Sequence, residues 1–184
     1  MIDLQPFCGT DETRFYLMKP FTRDGHTYAT NGHIMVRVEP RPEIPDAEKP
    51  FNQDRPLEGI EAAKFFRPSF ELPPAPAAKG PCTACDGRGY DHDCPDCECV
   101  CDVCKGDGDM DVERRITTKI GPKVFALNYA RLMLSLPGIE IAELPDKEDG
   151  KPLLFKFDGG VGALMPMRGS RNEHIDIKLT RRQP

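Results

Sequence analysis

Seven of the eight cysteines in this 184-residue chain fall between residues 82 and 104, at spacings that suit thiolates converging on metal. Cys82-Thr83-Ala84-Cys85-Asp86-Gly87-Arg88-Gly89 and Cys101-Asp102-Val103-Cys104-Lys105-Gly106-Asp107-Gly108 are near copies, each reading C-x-x-C-x-G-x-G. Two residues between thiolates let both sulfurs point into one tetrahedral site with Zn–S bonds of about 2.3 Å, and the glycines let the backbone turn tightly beneath them. The two knuckles therefore supply four zinc ligands, Cys82, Cys85, Cys101 and Cys104. Between them lies His92-Asp93-Cys94-Pro95-Asp96-Cys97-Glu98-Cys99, from which Cys94, Cys97, Cys99 and His92 could hold a second zinc. Exchange among the three C-x-x-C pairs is open, and 94/97 with 101/104 is a permitted pairing. Iron–sulfur clusters also use four cysteines, so ligand number alone does not separate them from zinc. The module has two readings, a surface that recognises a partner or a staple for a loop too small to fold alone.

Other chemistry is thinly represented. His26, His33, His92 and His174 are the four histidines, and no H-E-x-x-H, G-x-S-x-G or phosphate-cradling G-x-x-x-x-G-K-[ST] occurs. A zinc held by four thiolates keeps no open position for water, which argues against zinc hydrolysis and against an enzyme. Cys8 stands alone and reads as a small buried hydrophobe.

Composition narrows the setting. A formal charge of -5 and a pI near 5.4 argue against a protein that coats nucleic acid or anionic membrane over its whole surface, while leaving room for a local basic face. No stretch approaches the roughly 18 apolar residues of a membrane span, and Met1-Ile2-Asp3-Leu4-Gln5-Pro6 has neither a charged nor an apolar leader region. A cytoplasmic chain with reduced thiols is expected, which favours metal over disulfides.

The elements that must position the cysteines come next. Arg14–Met18, His26–Thr30 and His33–Val38 read as strands, and Asn31-Gly32 between two β-prone runs predicts a hairpin over 26–38. Prolines crowd residues 39–79, with a short helix expected at Leu57–Phe66 and a stiff Pro73–Ala78 stalk leading to the cysteines. Val112–Ile120 alternates as a strand, Gly121-Pro122 turns, and Val124–Leu136 carries helical spacing closed by Pro137-Gly138. Ile139–Leu144, Leu153–Phe157 and Val161–Met167 follow as strands between glycine and charged turns, and His174–Leu179 adds a last one before Arg181-Arg182. The order predicts an α+β domain, an antiparallel sheet with two helices, formed by residues 1–78 and 109–184 and carrying the zinc module 79–108 as an insert.

Two resemblances add to this reading. The knuckles resemble the cysteine-rich domain of DnaJ-type co-chaperones, which repeats C-x-x-C-x-G-x-G and binds two zincs. The likeness covers residues 82–108 alone; the third pair lacks its glycines and no histidine-proline-aspartate motif is present. Outside the cluster, Tyr28-Ala29-Thr30-Asn31-Gly32-His33-Ile34-Met35-Val36 and Val161-Gly162-Ala163-Leu164-Met165-Pro166-Met167-Arg168 resemble the hairpin and the closing strand of the bacterial DNA polymerase sliding clamp, with Asn31 where the clamp has aspartate. A clamp chain carries three such domains and this one has room for one, so either a ring needs several copies, a homo-oligomer, or no ring forms.

That second likeness implies a non-enzymatic, phage-type protein associated with duplex DNA or recruiting a replication partner. Lys64, Arg67, Lys119, Lys123 and Arg131 are its candidate DNA-facing cations. The alternative is a zinc-dependent adaptor that binds a peptide segment and ignores DNA.

Overall fold

A computed structural model describes residues 1–47, 55–72, 79–82, 84–90, 99–111, 116–144, 147, 150–167 and 174–181. Its strands are β1 (Phe21–Arg23), β2 (His26–Thr30), β3 (Ile34–Val38), β4 (Phe65–Phe66), β5 (Pro68–Ser69), β6 (Lys79–Pro81), β7 (Asp109–Asp111), β8 (Thr117–Ile120) and β9 (Lys123–Ala126). Helix α1 (Leu127–Leu134) follows, then β10 (Glu140–Ala142), β11 (Leu153–Phe157), β12 (Gly160–Leu164), β13 (His174–Asp176) and β14 (Thr180–Arg181). Most of the structure is antiparallel sheet with one α-helix among the described residues, an α+β arrangement.

The largest sheet has the order β1-β2-β3-β12-β11-β10-β4, antiparallel throughout. Two glycine turns set its first meander. Between the paired Arg23 and His26, Asp24 and Gly25 both take positive φ (47° and 74°), the two-residue turn whose twist matches its strands. At the next turn the Asn31 Oδ1 accepts from the amides of His33 (2.9 Å) and Ile34 (3.1 Å), and Gly32 sits at φ 88°. The predicted 26–38 hairpin forms as read. Strands β3 and β12 then join distant parts of the chain in register, from Ile34↔Leu164 to Gly160↔Val38. Gly162 suits that junction because a Cβ there would strike the Phe155 ring and the Met35 carbonyl.

Period-two alternation divides the strands between two cores. Ile34, Val36, Val38, Leu153, Phe155, Phe157 and Leu164 face the larger one, shared with Leu127, Ala130, Met133 and Leu134 of α1. Tyr28, Met35 and Ala163 face the other way and pack with Phe21 and Leu57. Strands β8, β9 and β13 make a smaller sheet in which β13 runs parallel to β8, so the fold is not wholly antiparallel as expected. No helix among the described residues is long and apolar enough to cross a membrane.

Three expected elements take another form. Arg14–Met18 is not a strand: Glu12–Leu17 is 3-10 helix kinked at Arg14, started by Asp11, whose carboxylate accepts from the Thr13 amide (2.9 Å) and hydroxyl (2.7 Å). The Leu57–Phe66 helix is absent: Arg55–Leu57 is one 3-10 turn, Gly59 at φ 82° breaks the chain, and Phe65–Phe66 pairs with Ile141 and Ala142. Among the described residues the predicted two helices are thus one. That helix starts at Leu127, because Lys123–Ala126 first ladder against Thr117–Ile120 across the Gly121 turn (φ 59°). It ends on Ser135, ahead of Pro137 and Gly138 (φ 64°). The Pro73–Ala78 stalk and residues 112–115 of the predicted strand lie outside the described residues.

Candidate metal centre

Strands β6 and β7 pair from Lys79↔Asp111 to Pro81↔Asp109, so the cysteine segment leaves and returns on one short ladder. Above it the two C-x-x-C-x-G-x-G stretches fold as near-equivalent turns. Asp86 and Gly87 (φ 49° and 79°) match Lys105 and Gly106 (φ 54° and 96°), and Gly89 (φ 81°) matches Gly108 (φ 71°). The turns grip each other reciprocally: the Cys82 amide donates to the Gly108 carbonyl at 2.7 Å and the Cys101 amide to the Gly89 carbonyl at 3.0 Å. A Cβ on Gly89 would strike the Gly106 carbonyl, and one on Gly108 the Gly87 carbonyl. These glycines are needed both for left-handed backbone and for close approach.

Cys82, Cys85, Cys101 and Cys104 converge beneath the turns, all buried, with their sulfurs within 4.8 Å of one another. The sulfurs of Cys82 and Cys101 are 3.9 Å apart and those of Cys85 and Cys104 3.7 Å. Disulfide sulfurs would be about 2.05 Å apart, and the four thiols are free. Four sulfurs bonded tetrahedrally at about 2.3 Å to one ion lie roughly 3.8 Å from each other, close to the 3.9 and 3.7 Å of these two pairs. The spacing suits a single ion and is too tight for sulfurs spread around an iron–sulfur cluster.

The electrostatics agree with this fit. Burial opposes ionisation of Cys82, yet the amides of Ala84 and Cys85 and the thiols of Cys85 and Cys101 stabilise its thiolate, bringing it to about 7. Cys85 goes the other way, to about 11: burial raises it against the Gly89 amide, which lies 3.2 Å from its sulfur, and its sulfur neighbours raise it further. The protein alone thus favours one thiolate and resists a second beside it. A dication removes that conflict and lets the sulfurs ionise together. Four sulfur ligands leave no position for a reacting water, so a metal held here would organise the fold and do no hydrolysis.

Of the second predicted set, Cys99 is described and exposed and does not join the sulfur cluster; His92, Cys94 and Cys97 lie outside the described residues. Among the described residues Cys101 and Cys104 cluster with Cys82 and Cys85; the alternative pairing with 94/97 involves residues outside those described. Cys8 is buried with its thiol toward the Leu4 carbonyl (3.6 Å), and burial, then Asp3, pushes it up to about 11.

No protein-family profile, curated protein or solved structure matches this chain.

The five cations expected to face DNA do not behave alike. Lys64 and Lys119 are exposed. Arg67 is also exposed but turns its guanidinium to Glu140 at 3.2 Å. Arg131 is half-buried on α1. Lys123 departs from the expectation: it is only 3% exposed, at an inward position of β9, and its ammonium donates to the Lys151 carbonyl at 2.9 Å. It is a core lysine and not a surface cation.

The stretches around residues 28–36 and 161–168 on which the second resemblance rests pair as neighbouring strands. Beyond the β3–β12 ladder, the Met165 amide donates to the His33 carbonyl at 2.8 Å, and both residues line a cleft of about 500 Å³ with Arg14, Asn31, Tyr129 and Met167. The His33 ring stacks on Tyr129 with centroids 5.4 Å apart, and partial burial, then the Arg14 charge, lowers its pKa. Arg14 and Tyr129 were not singled out in the sequence, because each reaches the cleft from an element remote from both motifs.

Proposed function

We propose that this chain is a non-enzymatic, sliding-clamp-like protein that associates with duplex DNA or recruits a replication partner, steadied by a structural zinc at Cys82, Cys85, Cys101 and Cys104. One observation carries the reading. The stretches that resemble the clamp, separated by more than a hundred residues, are neighbouring strands that line one cleft through His33, Met165 and Met167. Flexible, polarisable methionines at the edge of such a cleft suit the reception of a partner's apolar segment. On this reading residues 1–78 and 109–184 form the clamp-like domain and 79–108 the inserted module, which is supported by the β6–β7 ladder and by a separate buried cluster of the four cysteines with Met110. Zinc is favoured among metals by an all-thiolate, tetrahedral, closed site.

A clamp with one domain per chain needs several copies to encircle DNA. Gel shift and crosslinking on circular and linear duplex, with native mass in parallel, test the proposal. Retention on circular DNA by an oligomer, weakened by Lys64→Glu and Lys119→Glu but not by Lys123→Met, is the expected result. A strictly monomeric mass with no association at low salt removes the encircling version. The adaptor reading gains support from the burial of Lys123 and the ion pairing of Arg67, which thin the candidate DNA face. Pull-down of a protein partner that needs Cys82 and Cys101 and ignores nucleic acid would establish it instead.

A further inference from the structure

We propose that the described part of the cysteine hairpin, residues 84–90 and 99–109, carries a docking surface for a lysine- and arginine-rich protein segment with an apolar side chain. The proposal rests on the metal reading, since the knuckles hold the surface in shape.

The first observation is an exposed apolar surface. Among the described residues five large hydrophobics are exposed, and three of them belong to this hairpin: Tyr90 (51%), Val100 (56%) and Val103 (53%). Tyr90 and Val100 face each other across an antiparallel bridge, which places their side chains on one side of the backbone. Val103 lies between the two cysteines of the second knuckle, in which a Cβ on Gly106 would come within 3.2 Å of the Val100 side chain. A folding core has no use for these three side chains where they stand, and paired exposed apolar groups mark interaction surfaces.

Charge decides what covers them. Residues 79–111 contain nine Asp or Glu against three Lys or Arg, a net of -6, whereas the whole chain carries -5. The remainder is therefore close to neutral at +1, and the acidity of the protein is concentrated in this hairpin. Four thiolates around a dication make it more negative still. Asp86, Asp102, Asp107 and Asp109 are exposed on the same two described segments, with Asp102 3.9 Å from the Lys105 ammonium. Such a field repels a phosphate backbone and attracts a cationic chain. The aromatic ring is suited to the same partner: the Arg88 guanidinium already lies 5.9 Å from the Tyr90 centroid, the geometry in which an aromatic face attracts a cation. The hairpin is thus matched to a basic protein segment and ill-matched to DNA, which separates its role from that of the sheet.

The test uses the full, metal-loaded chain, a fluorescent peptide alternating lysine or arginine with leucine, a glutamate–leucine peptide of equal length, and a short duplex. The basic peptide is expected to bind, to weaken about tenfold or more between 50 and 300 mM salt, and to outcompete the duplex for the hairpin. Tyr90→Ser with Val100→Ser should lower affinity about tenfold, and Asp102→Asn with Asp107→Asn roughly three- to tenfold, with metal content unchanged in both. Equal binding of the acidic peptide, indifference to both variants, or no binding of the basic peptide by metal-loaded protein would overturn the proposal. Absence of metal from the same sample would instead sink the zinc reading, so the two failures are distinguishable.

Discussion

Replacing Gly89 with alanine tests whether the two knuckles depend on each other. Gly89 sits at φ 81°, where an L-residue is disfavoured by about 1–2 kcal/mol. That strain alone would weaken metal binding roughly 5- to 30-fold if it is relieved in the metal-free hairpin. The structure adds a second cost, because the new methyl meets the Gly106 carbonyl, a backbone atom two residues from Cys104. It can withdraw only by separating the sulfur pairs, so the loss for Gly89→Ala should approach or exceed a hundredfold. Gly25→Ala is the matched control: its φ is 74° but nothing lies within 4 Å of the added carbon. That variant should lose about 1–2 kcal/mol of overall stability, with metal affinity unchanged. Competition against a chromophoric chelator gives the affinities and thermal unfolding the stabilities. A Gly89→Ala protein that binds metal within threefold of the parent would refute the reciprocal packing.

Other outcomes follow from the same structure. Phe155 is fully buried in the main core, so Phe155→Ala should cost about 3–5 kcal/mol in chemical denaturation while leaving the metal stoichiometry intact. Stripping the metal with a strong chelator should raise hydrogen exchange in 82–90 and 101–108 and leave β11 and β12 protected, because the four cysteines form a hydrophobic cluster of their own. His33 has a folded pKa below its ordinary value of about 6.5, so the unfolded chain takes up its proton first. Stability should therefore fall as pH drops from about 6.5 through the lower folded value, and His33→Gln should flatten that part of the stability profile.

Local rules made much of this fold legible. Asp24-Gly25 and Asn31-Gly32 announce their turns because few residues other than glycine accept positive φ. Leu153–Phe157 alternates between two glycine-containing turns and forms over the residues read for it. The convergence of Cys82, Cys85, Cys101 and Cys104 was legible for the same reason, since C-x-x-C-x-G-x-G encodes both thiol spacing and turn. The misreadings occur where tertiary pairing overrides a local pattern. Val124–Ala126 satisfies the helical spacing, yet the partner strand Thr117–Ile120 claims its backbone. Phe65–Phe66 likewise joins β10 at the sheet edge in place of closing a helix. Inward placement of Lys123 was invisible because spacing within four residues does not say which side of β9 meets the core. The meeting of His33 with Tyr129 and Met165 depends on long-range register, which no local pattern carries.

The most direct test of the tetrathiolate centre is the native mass of the purified chain beside that of a Cys82→Ala, Cys101→Ala variant. One zinc ion fewer in the variant, at the same number of chains per assembly, is the predicted result. Equal metal content in the two proteins would contradict it.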